Sequence, residues 1–285
     1  MKTVKGLFLL GSVAFLTACG QTEDATNEGA MELTLGIREN TIELWEEVGQ
    51  QTAEQGLELD IVPMNSGIDI NQATVDGDLD ANAYQTMAYL ETWNNLQNQN
   101  IVPAITTLIA PLGIYSEEYS SLEEIPDESI IGIPNDASNA SRALELLEQA
   151  GLITLSEDFT SVSGTEAIEE NPKNLEFELA EGAMLPRMLP DLDAALIING
   201  TALDAGMKLE EALFHEDEGQ AAYVNIVATT EENEETYSEE LGILYGVIKS
   251  DEIKQFIEEE YEGNFISVEQ DIEEVVETFK TEYRN

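Results

Sequence analysis

The sequence predicts an α/β protein built from two lobes. Strand-like and helix-like segments alternate from residue 31 onward, beginning with a strand at 33–37, a helix at 42–55 and a second strand at 57–62. A chain of 285 residues is long enough for two hydrophobic cores, and its apolar fraction of 42% fits a globular protein. We therefore expect lobes in which a sheet is combined with helices.

The N-terminal segment predicts export. Lys2 and Lys5 precede a mostly apolar run at 7–16, which is the pattern of a secretory signal peptide and is too short to span a bilayer in a folded protein. The run ends in Leu-Thr-Ala-Cys at 16–19, which resembles the lipobox of bacterial lipoproteins. An ordinary signal peptide with a chance cysteine is the alternative.

Cys19 is the only cysteine of the chain and the predicted site of lipid attachment. We predict a signal peptide at 1–18 and a lipidated flexible tether at 19–30, because the tether lacks large apolar groups. The protein is then expected on the extracytoplasmic face of the cell membrane, anchored by its lipid. No cysteine remains for a disulfide, so packing must hold the folded body together.

The remaining segments continue the alternation. Further strands are predicted at 101–108, 112–115, 130–133, 175–179, 193–198 and 223–229. Further helices are predicted at 84–99, 121–125, from 136 to Gly151, and at 165–171, 184–189, 237–249, 251–261 and 267–283.

Pro111 lies between two strand-like runs and marks the first predicted crossover between lobes. The first lobe is predicted at 31–109 together with 220–285, and the second at 110–219, with the position of the second crossover left open. The C-terminal helix has apolar residues at helical spacing and is expected to pack with a solvated outer face.

Charge excludes one large class of partners. The chain has 59 acidic and 11 basic residues, giving a formal net charge of −48. Nucleic acid binding requires clustered lysines and arginines, so a nucleic acid partner is not expected. Charge of this size indicates solubility and habitat rather than a particular activity.

The most informative stretch is 135–147, where a predicted strand leads through a polar turn into a helix. Side-chain oxygens of Asn135, Asp136 and Asn139 lie where a helix N-terminus needs caps. Arg142 follows in the first turns, and a guanidinium near a positive helix end can bind a carboxylate. The alternative is that Arg142 pairs with Glu145 or Glu148 on a solvated helix face.

Signals for catalysis and for metal binding are absent from the sequence. His215 is the only histidine, so a histidine-based triad or zinc site is not expected, and no Walker or dinucleotide motif occurs. The aspartate-rich stretch 76–82 lacks the glycine and the closing glutamate of a calcium loop. We therefore predict a protein without a cofactor or metal that is not an enzyme.

Several blocks together carry a family resemblance. They are Asp80-Ala-Asn-Ala-Tyr-Gln at 80–85, Ile-Pro-Asn-Asp at 133–136, Asn-Pro-Lys-Asn-Leu at 171–175, Leu-Pro-Arg at 185–187, Ile-Asn-Gly at 198–200 and Ser-Asp-Glu at 250–252. In this order they resemble the methionine-binding lipoproteins of bacterial ABC importers. The resemblance implies a two-lobed type II periplasmic-binding-protein fold with a ligand cleft between the lobes.

The resemblance also implies function and site residues. The protein would capture methionine or a related amino acid by lobe closure and deliver it to an ABC permease, most simply as a monomer. Seven residues would form the site: Arg142 and Asn139 for the ligand carboxylate, Asn199 and Asn225 for the amino acid backbone, and Tyr84, Gln85 and Tyr89 for the ligand side chain.

Departures from the family pattern bear on the ligand. Thr86 and Ala88 stand where the family has a histidine and a proline, Gly67 stands where it often has a tyrosine, and an Arg-Glu-Asn-Thr loop at 38–41 replaces a Thr-Pro-Gly-Pro-like loop. A different amino acid or a short, methionine-containing peptide is the alternative ligand. An interaction lipoprotein without a transport role is the alternative of another class.

Overall fold

The computed structural model describes residues 31–65, 68–216 and 221–282, and all structural statements concern these ranges. The strands in chain order are β1 (Met31–Arg38), β2 (Leu57–Met64), β3 (Ala81–Thr86), β4 (Ile101–Ile109), β5 (Leu112–Tyr115), β6 (Ile130–Pro134), β7 (Thr154–Leu155), β8 (Ile168–Glu170), β9 (Glu176–Ala180), β10 (Ala194–Ile198), β11 (Phe214–His215), β12 (Val224–Thr230) and β13 (Ile266–Ser267).

The helices alternate with these strands. They are α1 (Ile42–Glu54), α2 (Ile70–Val75), α3 (Met87–Gln97), α4 (Ala137–Gln149), α5 (Leu185–Met188), α6 (Asn199–Asp204), α7 (Glu231–Thr236), α8 (Ser238–Ile248), α9 (Asp251–Tyr261) and α10 (Ile272–Glu282). The predicted α/β class is thereby confirmed.

The first sheet has six strands in the order β13-β4-β12-β3-β1-β2. Strand β1 pairs in parallel with β2 and β3, whereas β12 runs antiparallel to both β3 and β4. Both faces are covered, because Val227 of β12 belongs to one buried cluster and Ile226 and Ala228 belong to another. This alternation is what a strand buried on both faces requires.

The second sheet has five strands in the order β11-β5-β10-β6-β9. The apolar side of α4 packs on it through fully buried Leu144 and Leu147, which join Ile131 and Leu196 in one cluster. The chain leaves the first sheet after β4, builds the second sheet with β5 to β11, and returns with β12. We propose that the two sheets are the cores of the two lobes.

Strands correct the start of one predicted helix and the type of another. The predicted helix at 84–99 begins later, because β3 continues through Thr86, whose hydroxyl accepts a hydrogen bond from the Tyr89 amide at 3.2 Å and caps α3. The predicted helix at 165–171 is a single 3₁₀ turn followed by β8, which pairs with β7. In both places a short stretch takes the strand conformation because a neighbouring strand is available, which local sequence patterns do not reveal.

The described residues include no helix long and apolar enough to cross a membrane. They also include no group of three or more histidine, cysteine, aspartate or glutamate side chains that could hold a metal ion. The predicted signal peptide, Cys19 and the tether all lie outside the described residues, as does Gly67.

Candidate functional site

A cavity of about 590 Å³ lies between the two sheets. The end of β3 and the loop before α1 line it from the first sheet, and α4, α5 and α6 line it from the second. Six of the seven predicted site residues line this cavity: Tyr84, Gln85, Tyr89, Asn139, Arg142 and Asn225. The structure thus contains a cavity where the sequence predicts the ligand cleft between the lobes.

Arg142 lies in the first half of α4, and its guanidinium is buried and already paired. Its Nε and Nη2 donate to the two carboxylate oxygens of Glu216 at 2.8 and 2.5 Å, and Nη2 also donates to the Ala110 carbonyl at 2.9 Å. Only 2% of the Arg142 side chain and 6% of that of Glu216 are exposed. The pair with Glu145 or Glu148 on a solvated helix face is therefore not formed, because Arg142 is buried and its partner is Glu216. A contact between Arg142 and a ligand carboxylate stays a prediction.

This ion pair connects the two segments that join the sheets. Ala110 follows β4, and Glu216 follows β11 and also accepts a hydrogen bond from the Leu112 amide at 2.8 Å. Sequence reasoning missed Glu216 because it lies 74 residues from its partner and is one of 59 acidic residues. Arg142 thus holds both crossovers together beside the cavity.

An aromatic and an acidic residue complete the surroundings of Arg142. Its Cζ lies 4.3 Å from the centre of the Tyr223 ring, and the Tyr223 hydroxyl donates to a carboxylate oxygen of Glu145. Burial would lower the pKa of Arg142, but the Glu216 carboxylate more than offsets this and raises it above its usual value. Burial raises the pKa of Glu145, although the hydrogen bond from Tyr223 opposes that shift.

Glu145 makes the stability depend on pH in a defined direction. Because its pKa is raised in the folded state above the unfolded value of about 4.3, the folded chain holds a proton that the unfolded chain releases, and stability falls as pH rises through this range. We expect Glu145→Gln, which keeps the acceptor for Tyr223, to gain stability relative to the parent at pH 8 and to lose that gain near pH 4. Denaturant unfolding at several pH values measures this, with Glu258→Gln on the exposed side of α9 as the control. An equal pH dependence in both variants would contradict the assignment.

Two tyrosines form an aromatic wall of the cavity. The rings of Tyr84 and Tyr89 meet edge to face, with centroids 5.9 Å apart, and Arg38 lies over Tyr84 with its Cζ 5.0 Å from the ring centre. Burial raises the pKa of both tyrosines, so their hydroxyls stay protonated at neutral pH. This wall can pack against an apolar or thioether group and offers hydroxyl donors.

The amides of two predicted site residues are engaged within the protein. Gln85 donates to Asn71 at 2.6 Å and to Asn82 at 2.8 Å, and it accepts from Asn71 at 2.8 Å, so it forms part of a buried amide network. The Asn139 side chain donates to Asp136, which caps α4. Both shape the cavity, and their contacts with a ligand stay predictions.

Asn199 is the one predicted site residue that does not line the cavity. It lies at the end of β10 as predicted, but its side chain is fully buried, donates to the Asn264 carbonyl and accepts from the Tyr115 hydroxyl at 3.3 Å. Asn264 in turn accepts from the Leu209 amide at 2.8 Å. Asn199 thus joins the second sheet to the segment before β13 of the first sheet, and its contact with a ligand stays a prediction.

Comparisons with known proteins agree on one group. The model of the NlpA lipoprotein family matches residues 33–268. The D-methionine-binding lipoprotein MetQ of Escherichia coli is 31% identical over 261 residues, which cover 90% of this chain and 94% of that protein.

Solved structures of similar proteins have the same fold. A nutrient-binding protein from Burkholderia cenocepacia, bound to methionine, superposes with a TM-score of 0.78 at 30% identity, over 83% of this chain and 99% of that one. The substrate-binding protein of a methionine transporter from Streptococcus pneumoniae gives a TM-score of 0.78 at 28% identity, over 83% of this chain and 95% of that one. The predicted two-lobed fold and the predicted family resemblance are confirmed.

Proposed function

Because this chain belongs to the NlpA lipoprotein family, we propose that it is the lipid-anchored substrate-binding component of an ABC importer. Its cavity would capture methionine or a related amino acid outside the membrane. The observation that carries the proposal is the cavity between the two sheets, which combines arginines, amides and an aromatic wall. The Burkholderia relative, which is bound to methionine, supports the same ligand class.

The lining groups suit each part of a zwitterionic amino acid. Guanidinium groups can hold its carboxylate, the Asn225 amide oxygen can accept from its ammonium, and the wall of Tyr84 and Tyr89 can pack against a thioether side chain. Thr86 also lines the cavity where the family has a histidine, and its hydroxyl is occupied by the cap of α3. A somewhat larger ligand, such as a methionine-containing dipeptide, therefore remains the second candidate.

Ligand capture would proceed by closure of the two sheets around the cavity. A ligand that contacts both sides binds the closed state more tightly than the open one and so shifts the population toward it. The closed form would then present the surface that a permease recognises, while lipid on Cys19 keeps a monomeric protein at the extracytoplasmic face of the membrane.

We propose binding rather than catalysis because of the chemistry of the lining. None of the described residues that line the cavity is a histidine, a cysteine or a serine, so the lining offers neither a histidine base nor a thiol or serine nucleophile. Its guanidinium, amide and aromatic groups instead suit the binding and orientation of a small ligand.

A panel of amino acids and dipeptides tests this proposal. Protein unfolded and refolded to remove bound ligand should be stabilised against heat by L-methionine or a related member of the panel, because a ligand that binds only the folded state stabilises it by mass action. Stabilisation by no member of the panel would contradict the transport proposal and favour an interaction lipoprotein.

Asn225→Ala provides the matching variant. Since Asn225 lines the cavity and the structure shows no hydrogen bond of its side-chain amide to another described residue, we expect its loss to weaken binding of the stabilising ligand by about 1–2 kcal/mol with little loss of stability. Calorimetry of ligand binding measures the change. Asn95→Ala, on the exposed side of α3, is the control and should bind as the parent does.

A further inference from the structure

The arginines of this acidic chain are concentrated at one place. The sequence has four arginines among 285 residues, and the three that the structure describes, Arg38, Arg142 and Arg187, all line the cavity. They differ in how many of their N–H donors bond to other protein groups and in whether a carboxylate neutralises their charge. These two properties decide which arginine can best neutralise a ligand carboxylate.

Arg142 contributes little net charge to the cavity. Glu216 neutralises it through a bidentate ion pair, the Ala110 carbonyl takes a further donor, and Tyr223 stacks on its face. A ligand carboxylate approaching Arg142 therefore meets a neutral pair, whose negative member lies within 3 Å of the guanidinium. Arg142 is well placed to orient a carboxylate but poorly suited to neutralise it.

Arg38 is also engaged, although it keeps its charge. Its Nη1 donates to the carbonyl oxygens of Asn65 and Ile68, and its guanidinium stacks on Tyr84. These contacts fix Arg38 against the aromatic wall, where the ligand side chain is expected.

Arg187 has neither kind of engagement. Among the described residues, its side chain makes no ion pair, hydrogen bond or ring contact, and the side chain is exposed in the cavity. Its backbone is held firmly, because Leu185 and Leu189 on either side of it are buried against the second sheet at 0% and 2% exposure. The donors and the charge of the Arg187 guanidinium are thus available to a ligand, from a fixed position on the side of the cavity opposite β3.

We propose that Arg187 is a ligand-contacting residue that takes the carboxylate of the bound amino acid, with Arg142 orienting the same group. The proposal rests on the proposed function. It assigns the neutralising charge to the α5 arginine rather than to the arginine of the α4 motif. The complementary groups for the ammonium are Glu39 and Asp204, which also line the cavity. Burial raises the pKa of Asp204, and the nearby charge of Glu39 raises it further, so the two carboxyl groups lie close together.

The test is a cycle that changes both the protein and the ligand. The parent, Arg187→Gln and Arg187→Lys are titrated calorimetrically with L-methionine and with L-methioninamide, which lacks the carboxylate. We expect Arg187→Gln to weaken L-methionine binding by about tenfold or more, because a charge-assisted hydrogen bond is lost, and to change L-methioninamide binding by less than about twofold. Arg187→Lys should recover part of the loss, since it keeps the charge but not the bidentate geometry.

Controls separate this role from a structural one. Lys280→Gln on the exposed side of α10 removes the same charge away from the cavity and should bind both ligands as the parent does. All variants should unfold at the temperature of the parent without ligand. If L-methioninamide binding to the parent is too weak to measure, the recovery in Arg187→Lys decides, and its absence overturns the proposal.

The outcomes distinguish this proposal from the one on which it rests. If the parent and the Arg187→Gln variant bind L-methionine equally well, the role of Arg187 is overturned and the proposed function stands. Equal weakening of both ligands would also overturn the role of Arg187, because the effect would not involve the carboxylate. A parent that binds no amino acid or dipeptide of the panel would overturn the proposed function, and the role of Arg187 with it.

Discussion

Arg142→Ala is expected to lower the free energy of unfolding by about 3–5 kcal/mol, the largest effect of any substitution at the cavity. The variant leaves the Glu216 carboxylate buried without its charged partner, and breaking one side of a buried ion pair costs about this much. Urea unfolding followed by circular dichroism measures the change. Where the variant stays folded, we also expect methionine to bind about 2 kcal/mol less tightly, because a donor to the ligand carboxylate is lost and the negative charge of Glu216 beside the cavity is no longer compensated.

Two further variants establish the cause. The double variant Arg142→Ala/Glu216→Gln removes the unpaired carboxylate charge and keeps a side-chain oxygen that accepts from the Leu112 amide. We therefore expect it to recover a substantial part of the free energy of unfolding that Arg142→Ala loses. Lys208→Ala breaks the exposed ion pair with Glu262, whose side chains are 49% and 65% exposed, and should cost less than about 1 kcal/mol. If Arg142→Ala costs no more than Lys208→Ala, the buried pair does not hold the crossovers together.

Asn199→Asp is expected to have the second largest effect. The substitution keeps the shape of the side chain but replaces a donor to the Asn264 carbonyl with a fully buried carboxylate. Burial of this kind raises a carboxyl pKa by roughly 3 units, which corresponds to about 4 kcal/mol of stability lost at pH 8. Thermal and urea unfolding of the variant and the parent measure the loss.

The pH dependence of this loss has a definite sign. Because the pKa of the new carboxyl would be raised in the folded state, the folded chain binds the proton more tightly than the unfolded chain, and the deficit shrinks as pH falls toward the unfolded value of about 3.9. Asn95→Asp on the exposed side of α3 is the control and should show almost no deficit at any pH. A deficit in Asn199→Asp that does not change with pH would contradict the buried contact.

The parts of the fold that the sequence predicts well are those that local patterns determine. The buried strand β10 and the capped helix α4 lie where the apolar runs and the polar turn indicate. The cap on Asp136 is seen as a hydrogen bond from the Asn139 amide at 3.0 Å. Such features depend on neighbours a few residues away, so one sequence is sufficient to find them.

The parts that the sequence does not predict depend on residues far apart in the chain. The motif around Arg142 indicates a carboxylate partner, but it cannot indicate that Glu216 provides one from a distant crossover. Asn199 likewise ends a central strand as expected, yet its amide is turned toward Asn264 and away from the cavity. In both cases a polar group at a predicted ligand site is satisfied inside the protein, which only the tertiary structure reveals.

The most direct test of the ligand site is a crystal structure of the protein grown with L-selenomethionine, using protein expressed with ordinary methionine. We expect one anomalous selenium peak inside the cavity, near the wall of Tyr84 and Tyr89, with the ligand carboxylate within hydrogen-bonding distance of Arg187 or Arg142. A selenium peak elsewhere on the protein, or an empty cavity at saturating ligand, would contradict the assignment of this cavity as the amino acid site.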